Sequence, residues 1–434
     1  MRRIYTLLLY LLVPLMLLRL LWRSLSAPGY RRRIGERFGR LPPLPTQGGV
    51  WIHAVSVGEV QASAPLLQRL RLTHPRLPLL VTTTTPTGSS RLSELFGEGV
   101  MHVYAPYDIP VVVRRFLDAT RPRLAIFIET EVWPNILLEC QRRGIATLLA
   151  NARLSERSAR GYAQFGAFAR ETFGRLDRVA AQTERDARCF AALGVPEERL
   201  MVTGSIKFDV RLPPSLQEQA AVLKRIWGVD RPVWIAASTH EGEDEQVLVA
   251  HRKVLAILPK ALLVLVPRHP ERFSRVGQRI LREGFSLVRR SEDRPCGAGV
   301  EVFLGDSMGE LPMFFAAADV AFVGGSLVPH GGHNLLEPAA LGVPVVTGPH
   351  LFNFTRIAEM LFAADAALRV ESASTLAATV SAWLQDASAR ARIGDNGRRV
   401  VEQNRGALER LLGLIEALLR AAGDAATPDP RRSE

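Results

Sequence analysis

The sequence predicts an α/β protein built from two doubly wound domains behind an N-terminal membrane-attachment helix. Three observations carry this reading. Apolar runs of strand length alternate with amphipathic stretches from residue 50 onward, in two series separated by a break near residues 204–230. At 434 residues the chain exceeds one ordinary domain and suits two of roughly 150 to 200 residues, each with its own core. Residues 4–22, IYTLLLYLLVPLMLLRLLW, are almost unbroken hydrocarbon.

That first run, at about 1.5 Å per helical residue, approaches the roughly 30 Å of a bilayer core. Arg19 interrupts it, and SLSAPG after it is a poor cleavage site, so attachment is expected rather than removal as a signal peptide. Arg23, Arg31, Arg32, Arg33, Arg37 and Arg40 outnumber Arg2 and Arg3 on the other flank. That asymmetry places the remaining chain on the cytoplasmic face of the cell inner membrane, with membrane lipids as partners. Pro14 and Arg19 leave open whether the segment spans the bilayer or lies in its interface.

After the LPPLP break, residues 50–56 read as a strand and 58–70 as a helix. The rhythm repeats as 77–85 with 87–96, 102–104 with 110–119, 124–128 with 134–143, 145–151 with 156–173, and 178–182 with 184–194. Such alternation implies a parallel sheet covered on both faces, with ligands outside the carboxyl ends of its strands. Pro213-Pro214 interrupts the pattern, and a second series places strands at 232–237, 261–267, 300–304, 320–323 and 343–347, followed by amphipathic helices over 376–419. The expected organisation is attachment segment 1–25, first domain 26–210, interdomain region 211–230, second domain 231–400, C-terminal helix 401–422 and flexible tail 423–434.

The formal charge of +12 rests almost wholly on arginine. It points to an anionic surface or an anionic substrate; no aromatic-interleaved basic patch, zinc spacing or recognition-helix pattern supports nucleic acid. Cys140, Cys189 and Cys296 are odd in number and scattered, which opposes a disulfide framework. No cofactor and no metal are expected, since D-x-D is absent and His and Cys nowhere take metal spacing.

The richest stretch is 324–350, GGSLVPHGGHNLLEPAALGVPVVTGPH. Behind a buried strand, Gly324, Gly325, Gly331 and Gly332 allow close backbone approach to a ligand, with N–H groups free to meet an anion. Asn334 is expected to cap a helix starting at Leu335, its positive end toward that anion, while Glu337 accepts hydrogen bonds from ribose hydroxyls. The plain alternative is a glycine-rich turn that only reverses the chain.

This stretch, continued through LFNF, resembles the C-terminal signature of the transferases of 3-deoxy-D-manno-octulosonic acid (Kdo), which carry Kdo from CMP-Kdo to the lipid A precursor lipid IVA in lipopolysaccharide biosynthesis. The resemblance runs from Arg31-Arg32-Arg33-Ile34-Gly35-Glu36-Arg37-Phe38-Gly39 to Phe354. It implies the GT-B fold, two Rossmann-like domains facing across a cleft, and inverting, metal-independent chemistry. Ser56-Val57-Gly58-Glu59 resembles the family motif that supplies the catalytic base, and an inverting transfer needs one carboxylate to take the acceptor hydroxyl's proton. A helix N-terminus is expected to keep Glu59 ionised. Glu131, in ETEVWPN, is implied as a second functional acid, with capping of the helix at Pro134 as its alternative. Thr82–Thr85 with Pro86-Thr87-Gly88 resembles a family turn that shapes the acceptor side. Gly204-Ser205-Ile206-Lys207-Phe208-Asp209 resembles G-N-x-K-F-D except at Ser205, and Lys207 is implied to meet the Kdo carboxylate.

On the donor side the resemblance implies CMP contacts from Pro267 and Arg268, from Met308, Gly309 and Glu310, and from Asn334, Leu335, Leu336 and Glu337. Arg268 would balance phosphate and sugar carboxylate, the backbone at 308–310 would meet the base, and Glu337 the ribose. For Glu310 a carboxylate that merely complements a helix start is the alternative. Two rivals remain: a GT-B transferase using a UDP-sugar in cell-envelope synthesis, and a membrane-tethered nucleotide sensor without catalysis.

Overall fold

The structure is a computed structural model that describes residues 1–44, 47–210 and 212–424. It divides into two compact units, Met1–Asp209 with the chain from Arg405 onward, and Val210–Asn404. The tail expected over 423–434 lies, from residue 425, outside the described residues.

The first unit holds β1 (Val50–His53), β2 (Leu79–Thr83), β3 (Met101–Tyr104), β4 (Leu124–Ile128), β5 (Ala146–Ala152), β6 (Arg178–Ala181) and β7 (Leu200–Val202). They form one parallel sheet in the order β3-β2-β1-β4-β5-β6-β7. Alternation along each central strand feeds two cores, because successive side chains leave opposite faces. Val50 and Ile52 of β1 join Leu124, Ile126 and Ile128 on one side, while Trp51 joins Ala125 and Phe127 on the other. Both faces are apolar, so the strands read as continuous hydrophobic runs.

The second unit repeats the scheme with β8 (Val233–Thr239), β9 (Leu262–Pro267), β10 (Leu287–Arg289), β11 (Val302–Leu304), β12 (Val320–Val323), β13 (Val345–Thr347) and β14 (Ala367–Arg369), ordered β10-β11-β9-β8-β12-β13-β14. Trp234 and Ala236 face one core; Val233, Ile235 and Ala237 face the other.

Two expected boundaries move. Residues 211–230 are not a bare connection: Leu216–Trp227 is a helix whose Leu216, Ala220, Leu223 and Trp227 recur at helical spacing and are buried in the second unit's core. Nor is 401–422 one helix. Ala387–Gln403 ends at a break where Gly406 takes φ +86°, and Ala407–Asp424 starts afresh with Asp209 accepting from the N–H groups of Gly406 and Leu408, each at 2.7 Å. Leu408, Leu411, Leu412 and Ile415 of this last helix are buried in the first unit's core, so the chain returns there to finish.

The N-terminal helix Arg2–Ser26 is long and apolar enough to cross a membrane. One stripe docks on the first unit. The Tyr5 hydroxyl donates to Asp108 at 2.8 Å, Thr6 donates to Asn135 at 3.2 Å, and the Tyr5 and Phe168 rings meet at 5.7 Å. Leu7, Leu11, Leu15, Leu18, Leu21 and Trp22 stay exposed, an apolar face of the kind that membrane insertion covers.

Candidate functional site

In both units the chemistry-bearing side chains gather where parallel strands end, and in each the central pair of strands is the point at which the chain reverses its direction of sheet growth. Those pairs are β1 with β4, and β8 with β12.

Past β1, Ser56 caps the helix Val57–Thr73, its hydroxyl accepting from the Glu59 N–H at 3.3 Å. The Glu59 carboxylate answers, taking the Ser56 hydroxyl at 2.8 Å and the Val55 N–H at 2.8 Å. This reciprocal capping follows from Ser and Glu three residues apart. It does not keep Glu59 strongly acidic, as a helix start alone was expected to do. Burial pushes its pKa up to about 7, against hydrogen bonds from Ser56 and Val55 that lower it and with Glu131 and Glu129 charges that add to the rise. The threonine run braces this turn: Thr84 donates to the Val55 carbonyl through its hydroxyl at 2.8 Å and its N–H at 3.0 Å, and Thr85 caps the next helix.

Past β4 comes Glu129, with φ +60°, a conformation that non-glycine residues rarely adopt. Its buried carboxylate meets Arg153 at 2.8 Å and Lys207 at 3.4 Å. Lys207 rides on the short turn Ile206–Phe208, whose Ile206 N–H is held by the buried Asn151 side chain at 3.3 Å. Sequence reasoning chose Glu131 and missed Glu129; position directly after a buried strand was the available signal. Glu131 accepts from the Trp133 indole N–H at 2.8 Å and does not cap the helix Pro134–Arg142. Burial raises its pKa.

In the second unit, Pro267 and Arg268 follow β9; Pro267 is buried and Arg268 half-buried. The Arg268 N–H is fixed to the Thr239 carbonyl at 3.0 Å, and its guanidinium has no ion-pair or hydrogen-bond partner among the described residues. Met308, past β11, is 63% exposed, and Gly309 takes φ +84°. Glu310 is already engaged: Arg290 approaches it at 3.1 and 2.9 Å, and the Ser307 hydroxyl donates to it. Burial raises its pKa, but these donors outweigh burial and leave it below the ordinary carboxylate value.

The glycine loop departs from expectation. The N–H groups of Gly325, Ser326 and Leu327 are not free for a ligand, because the buried Glu243 carboxylate accepts all three at 2.6, 2.9 and 2.8 Å, and the His240 N–H at 3.0 Å. Four donors fill the carboxylate's acceptor sites. Glu243 was overlooked, although its place three residues after His240, the first residue beyond β8, repeats the Ser56–Glu59 spacing. Asn334 does stand at a helix start, but the helix Leu336–Ala340 begins one residue late and spans a single turn, too short for a strong positive end. The Asn334 oxygen accepts from the Leu336 N–H at 3.1 Å and its amide donates to Glu337 at 3.0 Å. Leu335 and Leu336 are fully buried. Burial raises the Glu337 pKa, with the Asn334 hydrogen bond opposing.

The family model of 3-deoxy-D-manno-octulosonic-acid transferase (kdotransferase) matches residues 32–210, and that of glycosyl transferases group 1 matches residues 249–400. The 3-deoxy-D-manno-octulosonic acid transferase of Haemophilus influenzae is 44% identical over 421 residues, 96% of this chain and 99% of that protein. The chain belongs to the Kdo transferase family. The Bordetella pertussis member is 39% identical, with coverage of 96% and 99%. Two parallel seven-stranded α/β sheets are the make-up of GT-B proteins, and the fold is shared with the UDP-GlcNAc 2-epimerase of Neisseria meningitidis, 13% identical, at a TM-score of 0.54 over 85% of this chain and 100% of that one. The match to the kdotransferase model contains Glu59, Glu129 and Lys207, and the match to glycosyl transferases group 1 contains Arg268 and Glu337.

Proposed function

We propose that this Kdo transferase moves Kdo from CMP-Kdo to the lipid A precursor lipid IVA, with inversion and without a metal ion, on the cytoplasmic face of the inner membrane. Glu59 is the base. As carboxylate it takes the proton of the acceptor hydroxyl while that oxygen bonds to the anomeric carbon and the bond to the CMP phosphate breaks, the electron pair leaving with CMP. The reciprocal cap that fixes the Glu59 carboxylate at the turn past β1 is the observation that carries the reading, and burial there raises its pKa to about 7, matched to neutral pH. Glu129 orients Lys207 toward the sugar carboxylate; Glu131, together with Glu129, raises the proton affinity of Glu59. Arg268 takes up the leaving phosphate's charge, Met308, Gly309 and Glu310 flank the cytosine ring of CMP, and Asn334 to Glu337 address the ribose.

The helix Arg2–Ser26 and the arginines after it hold the enzyme at the lipid acceptor. Mixing full-length protein with radiolabelled CMP-Kdo and lipid IVA is the direct test: label should pass to lipid. Release of CMP without lipid labelling, or thermal protection by UDP and none by CMP, would move the assignment to a different donor or acceptor.

A further inference from the structure

Four imidazoles gather at the carboxyl edge of the second sheet. His240 follows β8, His269 follows β9, and His330 and His333 lie in the loop after β12. His240 Nε2 and His333 Nε2 are 2.8 Å apart, their rings 4° from parallel. His330 stacks on His240 at 4.1 Å, and His269 meets it edge-on at 5.4 Å. Only one proton fits between two nitrogens at that distance, so one ring donates and the other accepts. The donating ring then has a bare Nδ1 and the accepting ring carries an Nδ1–H, and neither Nδ1 has a partner among the described residues.

The charged groups around this pair are unbalanced. Arg272 is nearby but its charge is met by buried Asp244. The Glu243 carboxylate beneath His240 is filled by backbone N–H groups. His269 has Glu271 at 3.9 Å, and Glu241 pairs with Arg275. That leaves the unpaired Arg268 guanidinium beside imidazoles able to take protons, with no free carboxylate between them. Burial first, and then the neighbouring histidines and arginines, push His240 down to about 4 and His333 to about 3, so both rings are neutral at pH 7.

We propose that His240 and His333 form, with Arg268, an oxyanion subsite that takes up a proton together with its ligand, and that the ligand is an acidic group of the sugar-nucleotide donor. The shared chemistry is an oxyanion, supplied either by the phosphodiester or by the sugar carboxylate. The assignment to the donor rests on the proposed function; the proton-coupled oxyanion site does not. An anion placed within about 4 to 6 Å raises a titrating group by roughly 1 to 3 pH units. A bound anion draws the His240 titration upward, toward neutral pH. Affinity therefore rises as pH falls from 7.5 toward 5.5, by several-fold to about tenfold over that interval for one proton taken up.

Sulfate is the probe, because it does not titrate in this range. In full-length protein with isotope-labelled histidine, sulfate should shift the His240 and His333 ring resonances toward the imidazolium form and bind several-fold to about tenfold more tightly at pH 5.5 than at 7.5. His240→Gln and His333→Asn should each abolish the pH dependence, Arg268→Ala should weaken binding at both pH values, and His330→Ala, which removes a neighbour that opposes His240 protonation, should keep the pH dependence. A merely structural role for the pair would lower thermal stability without touching the slope. If both histidine variants fail to fold, the wild-type titration still decides: equal sulfate affinity at the two pH values, with unmoved ring resonances, overturns the proposal. Displacement of sulfate by CMP assigns the phosphate as ligand, and displacement by free Kdo assigns the carboxylate. Proton-coupled sulfate binding that neither displaces keeps the subsite and removes the donor reading.

Discussion

Glu59 and Glu243 occupy matching places in the two units. Each sits just past the strand from which its sheet grows in both directions, each three residues after a turn residue beyond that strand, Ser56 and His240, and each accepts a hydrogen bond from that turn's backbone. Their surroundings part company there. Glu243 is buried under four N–H donors and ties the β8 turn to the glycine loop after β12. Glu59 receives one backbone N–H and one hydroxyl, faces the negative charges of Glu129 and Glu131, and holds its proton up to about pH 7. A carboxylate left short of donors keeps the capacity to take up a proton. With donors complete, the same group becomes a fastener.

The comparison breaks most visibly in turnover. Glu59→Gln keeps the shape and removes proton acceptance, so transfer should fall by about two to four decades while CMP affinity stays within about twofold. In wild type the rate should rise with pH, roughly tenfold per unit below about 7, and level off above it, because only the ionised form accepts a proton. The stability consequence has the opposite sign to the usual acid. A folded pKa raised from 4.5 to about 7 gives stability that is fully present below the unfolded value and declines as pH rises through 7. Glu59→Gln should therefore melt no lower than wild type at pH 8, and a lower melting temperature there would contradict the burial argument.

Glu243→Gln should do the reverse. An amide turns an NH₂ donor toward backbone donors and leaves them unpaired, at a cost of about 2 to 4 kcal/mol in the second unit's stability. Denaturant titration measures it, and a stability within 0.5 kcal/mol of wild type, about the spread of surface substitutions, would show that the loop does not depend on this carboxylate. Next in size, Arg268→Ala should weaken CMP binding by about 1.5 to 3 kcal/mol, with Arg268→Lys recovering part, both read by titration calorimetry. Wild-type affinity in both variants would place Arg268 outside the donor site. The smallest effect belongs to the N-terminal helix: Tyr5→Phe removes the hydrogen bond to buried Asp108 and should cost about 1 kcal/mol in the first unit while leaving the second unchanged. Hydrogen exchange resolved along the chain separates the two.

The alternating runs of the central strands were legible because burial on both faces demands unbroken apolar sequence, and β1, β4, β8, β9 and β12 stand within a few residues of where the pattern puts them. The edges β7, β10 and β14 were not legible. Each has three residues and at least one partly exposed face, so the apolar signal that marks a buried strand is missing. The helix expected over 156–173 is two helices, split where Gly166 takes φ +51°.

What the sequence by itself determined was which strand ends carry the polar motifs, since motif spacing places Glu59, Arg268 and Asn334 beyond particular strands whatever the later packing. Only the tertiary structure decided which polar groups remain available. Glu129 rather than Glu131 meets Lys207, a residue 78 positions away; Glu243 occupies N–H groups 82 to 84 positions away that the glycine loop seemed to offer a ligand; and Glu310 is taken by Arg290. The physical reason is common to all three. Hydrogen-bond donors and acceptors saturate, and whether a buried group has spare capacity depends on partners brought in from distant sequence, which local pattern does not encode.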